Sequence, residues 1–220
     1  MPHRHPALRQ PRVSFGRSAA VAALNLCMVG LCAAQTCGWS RVDHLVPFSD
    51  SGAWDPKVYR GLVGVMTVAQ IGGALWEGSQ SRLGRTMWQG IDAQATSAVA
   101  SEVSKLVFRR VRPIDENNPC LWFKDRADKS FPSTESALAA ALVTPYVLEH
   151  GRDNPAVHAL LAVPLYVGVG RVKNQAHWQT DVVAGWAIGG VAGWYAHSRE
   201  VPIFVALLPN GVAVGLKRKF

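Results

Sequence analysis

A histidine and an aspartate four positions apart, His177 and Asp181, follow an arginine, Arg171, in the stretch GRVKNQAHWQTD. On a helix, such positions lie on one face. An aspartate held against one ring nitrogen leaves the other free to attack or to bind. The planar fork of Arg171 suits a phosphate-like oxyanion at the same point. Taken alone, a His–Asp pair at this spacing is more often an ordinary helix-surface contact. Two further clusters raise its weight. The run KLVFRRVRP, Lys105 to Pro113, reads as a helix end with Leu106, Val107 and Val111 as apolar positions and Pro113 as the stop. Lys105 and Arg112 fall near that end, although a basic last turn also suits the helix dipole. The run SFPSTESA marks a helix start at Pro132 and Ser133. Free amides there, with the Ser133 hydroxyl, make an anion site.

Together the clusters resemble the signature of the type 2 phosphatidic acid phosphatase and vanadium haloperoxidase superfamily. Lys105, six residues and Arg112-Pro113 match its first part. Pro132 and Ser133 match half of its Pro-Ser-Gly-His. Arg171, His177 and Asp181 match its third part, with the family's spacing kept. Thr134 stands in place of the family's Gly, Glu135 in place of its second His, and Gly170 in place of a Ser. The resemblance covers residues 59–197. It implies an all-α helical bundle with these residues at one end. It also implies a phosphatase in which His177 attacks phosphorus and becomes a phosphohistidine, with Asp181 orienting the ring. Lys105, Arg112, Arg171, Ser133 and the Thr134 amide would bind the phosphate oxygens. Glu135 is the candidate acid for the leaving alcohol, a role that needs a raised pKa. No metal or cofactor is expected, because three cations balance the phosphate. Rival readings are a lipid-linked phosphotransferase, a vanadium-dependent haloperoxidase, and a non-catalytic anion-binding envelope protein in which Glu135 marks lost chemistry.

The elements that must position these groups read as helices. Asp55 is placed to cap a helix over residues 59–76. Residues 79–85 read as a polar turn. Residues 88–108 form a polar helix, with Asp92, Gln94, Thr96, Ser97, Ser101, Glu102 and Lys105, and with Ala93, Ala100 and Val103 as its expected buried stripe. Such a helix is expensive as a lipid-facing span. Members of the family occur as six-helix membrane enzymes and as soluble bundles, and this segment favours the soluble form. Residues 113–129 make a polar connection in which Trp122 and Phe123 either anchor the loop or line an acyl or aromatic group. Helices follow over residues 133–149, over 154–169 with Pro164 inside, and from Asn174 or Gln175 to His197. After Pro202, the turn signal Pro209-Asn210-Gly211 between apolar flanks allows a short hairpin. The domain reading is a signal peptide or first transmembrane helix at 1–34, a loop region at 35–58, the catalytic bundle at 59–199, and an extension at 200–220.

The chain of 220 residues carries a net charge of +8. Positive balance suits anionic substrates or membranes. No helix-turn-helix, zinc knuckle or aromatic–basic interleaving is present, so nucleic acid is not expected as a partner. The expected partner is a phosphate-bearing small molecule or lipid head group, and the basic Lys217–Lys219 end reads as solvated charge or as a membrane-surface contact. Basic residues before an apolar run from Ser18 to Ala34 read as a secretory signal, which places the mature domain in the periplasm or cell envelope. The alternative is an uncleaved span in the inner membrane, with the site facing the periplasm. Cleavage would leave Cys37 and Cys120, as one disulfide or as two free thiols.

Overall fold

The computed structural model describes Gly38, residues 41–125, 127, 129–199, 203–208 and 211–216. The chain divides into two units, Met1–Gly38 and Trp39–Phe220. The expected signal segment and Cys27, Cys32 and Cys37 lie outside the described residues. The second unit is all-α apart from a terminal hairpin. Its helices are α1 (Pro56–Glu77), α2 (Arg82–Phe108), α3 (Thr134–His150), α4 (Ala162–Lys173) and α5 (Gln179–Ser198). A 3-10 turn, Pro155–Leu161, leads into α4. The hairpin pairs β1 (Ile203–Leu208) antiparallel with β2 (Gly211–Leu216).

Local signals explain the boundaries. Pro56 sits in the first turn of α1, where its missing N–H costs nothing, and the Asp55 carboxylate accepts from Lys57 N–H at 2.8 Å. Ser81 caps α2, so this helix begins earlier than the polar turn of the sequence reading implies. It ends at Phe108, ahead of Pro113, because Arg109 takes a left-handed C-cap with φ 41°. Ser133 caps α3. The last helix begins at Gln179, later than Asn174 or Gln175, where the Asp181 carboxylate accepts from Trp178 N–H at 2.9 Å. His177 therefore precedes the helix that carries Asp181, and the two do not share a helical face.

Helices α3 and α5 pack through small residues. A Cβ on Gly185 would lie 2.4 Å from the Ser133 carbonyl, and one on Gly189 only 2.1 Å from that of Ala137. Bare backbone at these positions lets α5 close onto α3. Ala93, Ala141, Ala192 and Ala196 form a buried cluster between α2, α3 and α5.

Helix α2 is inverted with respect to a water-soluble helix. Its buried positions include Asp92, Gln94, Ser97, Ser101 and Lys105, while Val99 is 65%, Val103 56% and Leu106 67% exposed. Ala93 is buried as expected, but Ala100 and Val103 are not. Of the polar residues that weighed against a membrane setting, Asp92, Gln94, Ser97, Ser101 and Lys105 point into the bundle, where polar side chains of membrane helices belong, while Thr96 and Glu102 are exposed. Pro56–Glu77 and Pro155–Lys173 are each long and apolar enough to cross a bilayer. On α1, Val65 and Val68 are each 70% exposed.

Two segments close over the end of the bundle that carries the three motifs. The irregular stretch before α1 is tied to the start of α5 and to the loop between α4 and α5. Gln179 and His44 exchange hydrogen bonds of 2.8 and 3.1 Å, and the Asn174 amide donates to the carbonyls of Ser49 and Trp54. The loop after α2 is anchored by Trp122, whose ring centroid lies 5.1 Å from that of Phe131 and 6.1 Å from that of Phe108. Cys120 in this loop is disulfide-bonded.

Candidate active site

His177 is 2% exposed and lies in the bend before α5. Its Nδ1 stands 2.5 Å from the carbonyl oxygen of Ser130. A carbonyl can only accept, so Nδ1 carries the proton and Nε2 keeps a free lone pair. Burial holds the imidazole well below its usual pKa range. The charges of Arg171, Arg112 and Lys105 add to that shift, and the Ser130 carbonyl opposes it. All three cations singled out in the sequence thus bear on one neutral ring.

Asp181 does not touch that ring directly; its Oδ2 is 3.9 Å from Nδ1. It acts one residue further back, accepting from the Ser130 hydroxyl at 2.5 Å. Its Oδ1 accepts from Arg110 NH1, also at 2.5 Å. Every group hydrogen-bonded to its two oxygens is a donor, so the ionised form fits the geometry.

On the opposite side Arg171, 5% exposed, donates to the Tyr59 hydroxyl at 3.1 Å, and that hydroxyl donates to Asn174 Oδ1 at 2.6 Å. Glu135 joins this wall from the first turn of α3. Its Oε2 is 3.1 Å from Arg171 NH1, and its Oε1 accepts from Arg60 Nε at 2.9 Å. Lys105 donates to Glu102 at 2.9 Å, and the same carboxylate oxygen accepts from the Thr134 hydroxyl at 3.0 Å. The Ser133 hydroxyl is buried and shared with Ser136, capping α3.

Arg171, Arg112 and Lys105 all act electrostatically on His177, Asp181 lies 3.9 Å from its ring, and Glu135 stands beside Arg171. Ser133 and Thr134 lie at the same helix start, with their hydroxyls engaged inside the protein. Sequence reasoning gave no role to Arg60, Glu102 and Tyr59, which partner the motif residues. It also assigned none to Asp43 and Arg110. Arg110 falls within the basic run, a usable signal; nothing local marks Asp43.

The model of the PAP2 superfamily matches residues 91–201, just over half of the chain. The chain belongs to the PAP2 superfamily. Among curated proteins, the lipid A 1-phosphatase of Porphyromonas gingivalis is 27% identical over 149 residues, a match that covers 66% of this chain and 31% of that protein. No solved structure matches the chain.

Proposed function

We propose that the protein is a metal-independent phosphatase acting on a phosphate-bearing lipid through a phosphohistidine at His177. The observation that carries this reading is the convergence of Lys105, Arg112 and Arg171 on one buried ring whose Nε2 is free. Nε2 attacks phosphorus in line, the N–P bond forms and the ester P–O bond breaks. The three cations hold the equatorial oxygens as charge develops there. Glu135 is the group offered for proton transfer to the leaving oxygen and then from the hydrolytic water. Its pairing with two guanidiniums requires a carboxylate, so its proton must arrive with the substrate or as Arg171 turns to the phosphate.

A lipid substrate is supported by three observations. The family's relative named above is a lipid A 1-phosphatase. Helix α1 exposes Leu62, Val65, Val68, Ile71 and Leu75, and α2 exposes Val99, Val103, Leu106 and Val107; large exposed apolar surfaces mark interaction sites. A groove of about 420 Å³ is lined by Val63, Val68, Leu138 and Val167 together with Glu135 and Arg60. We read the bundle as membrane-embedded. The disulfide at Cys120 supports a site on the oxidising, periplasmic side of that membrane.

The test is phosphate release by the full chain in detergent micelles. Substrates are a lipid A phosphate, an isoprenyl diphosphate, a phosphatidic acid and a soluble monoester, with His177→Ala as control. Rapid quench should trap acid-labile phosphohistidine in the parent and none in His177→Ala. Full turnover by the variant refutes the nucleophile, and preference for the soluble ester refutes the lipid class.

A further inference from the structure

We propose that Asp43 is a positioning residue for His177, acting through Arg110 and Asp181, an inference that rests on His177 being the nucleophile. Asp43 lies well before the residues matched by the family model. It nevertheless ends in the same buried cluster as Asp181. Arg110 is fully buried, and its guanidinium joins the two carboxylates, at 2.6 Å to Asp43 Oδ2 and 2.5 Å to Asp181 Oδ1. Thr180 binds Asp43 through its N–H at 2.8 Å and through its hydroxyl at 2.6 Å. The same hydroxyl accepts from Arg110 at 2.9 Å. The rings of Trp122 and Trp178 flank the guanidinium at 4.3 and 5.5 Å.

Charge gives this cluster its purpose. With Asp181 alone, Arg110 would cancel the carboxylate that stands behind His177. Asp43 supplies a second carboxylate, so two anions share one buried cation and the cluster keeps one negative charge. A buried charge without a partner is costly. It gains one when Nε2 bonds to phosphorus, because Nδ1 keeps its proton and the ring becomes cationic. Arg171, Arg112 and Lys105 repel that cation from the substrate side. The cluster opposes them from behind. Ser130 transmits the arrangement: its N–H donates to the Arg110 carbonyl at 2.9 Å, its hydroxyl to Asp181, and its carbonyl accepts from His177.

The experiment measures kcat and KM for Asp43→Asn in the full chain. Expected is a fall in kcat of about tenfold or more with KM changed less than about twofold, since an orienting partner acts on the chemical step. Adding Arg110→Gln returns the cluster to one negative charge, so the double variant should recover part of the lost kcat. A structural role alone would lower the thermal transition without a kcat loss in the folded fraction, and the double variant would be worse. Unchanged kcat in Asp43→Asn, or a double variant slower than the single, overturns the proposal. If Asp43→Asn does not fold, Thr180→Val removes the hydroxyl shared by Asp43 and Arg110 at constant volume. Its kcat should fall, and an unchanged value overturns the proposal. His177→Ala separates the two readings: an active His177→Ala sinks the nucleophile itself, whereas a dead one beside a normal Asp43→Asn sinks only the role of Asp43.

Discussion

The ring of His177 is held by the backbone of Ser130, at 2.5 Å, rather than by a carboxylate. Asp181 reaches the ring through that serine. Ser130→Ala keeps the carbonyl but frees it from Asp181, so kcat is expected to drop about tenfold with KM little changed. Asp181→Asn also disturbs Arg110 and should cost more, at least several tens-fold. Steady-state kinetics on both variants check the order. A larger loss in Ser130→Ala than in Asp181→Asn would contradict this linkage.

Glu135 is best read by leaving group. With a poor alkoxide, Glu135→Gln should lose about a hundredfold in rate, within the range for general acid–base catalysis. With p-nitrophenolate it should lose far less, because little proton transfer is needed. Equal rates for parent and variant on both substrates would leave the carboxylate with a purely electrostatic role between Arg60 and Arg171.

The depressed pKa of His177 has a signed consequence for stability. Unfolded, the ring titrates near about 6.5. Folded, it stays neutral well below that value. As pH falls through about 6.5, the unfolded chain gains a proton that the folded chain does not, so stability is lost until the pH passes below the folded value. Thermal unfolding between about pH 7 and 5 should therefore fall more steeply for the parent than for His177→Gln, in line with this linkage. Parallel slopes would show that the ring titrates alike in both states.

Gly189 and Gly190 are neighbours with opposite expectations. A methyl on Gly189 meets the Ala137 carbonyl at 2.1 Å and forces α5 away from α3, whereas one on Gly190 meets nothing within 4 Å. Gly189→Ala should cost about 1–3 kcal/mol, the usual scale of overpacking. It should also lower activity, because α3 and α5 carry Glu135 and Asp181. Gly190→Ala should be neutral or stabilising by up to about 1 kcal/mol from helix propensity. Chemical or thermal unfolding of the pair decides it.

Much of the site was legible because its chemistry is written in short spacings. Lys105 to Arg112 and Arg171 to His177 each fall within one turn-and-loop unit, so the residue pattern survives without knowledge of the fold. The partners of those residues were not legible. Arg110 meets Asp43 across 67 positions and Asp181 across 71, and no local pattern encodes such a meeting. The inverted face of α2 was misread for another reason. Periodicity identifies a buried stripe only by assuming that water covers the opposite face. The stripe of Ala93, Ala100 and Val103 rests on that assumption, whereas Ser97 and Ser101 are buried and Val103 is exposed.

The clasp between His44 and Gln179 joins residues separated by 135 positions. That separation sets an order of assembly. On a ribosome, Asp43 and Arg110 emerge long before Thr180 and Asp181, and the carbonyl of Asp181 is needed to receive the N–H of Ser133 at the start of α3. The end of the bundle that carries the three motifs is therefore the last part able to close, after α5 has been made. Contacts of such long range slow folding. A chain released before α5 would lack Asp181 for Arg110, leaving that buried cation without one of its two carboxylates.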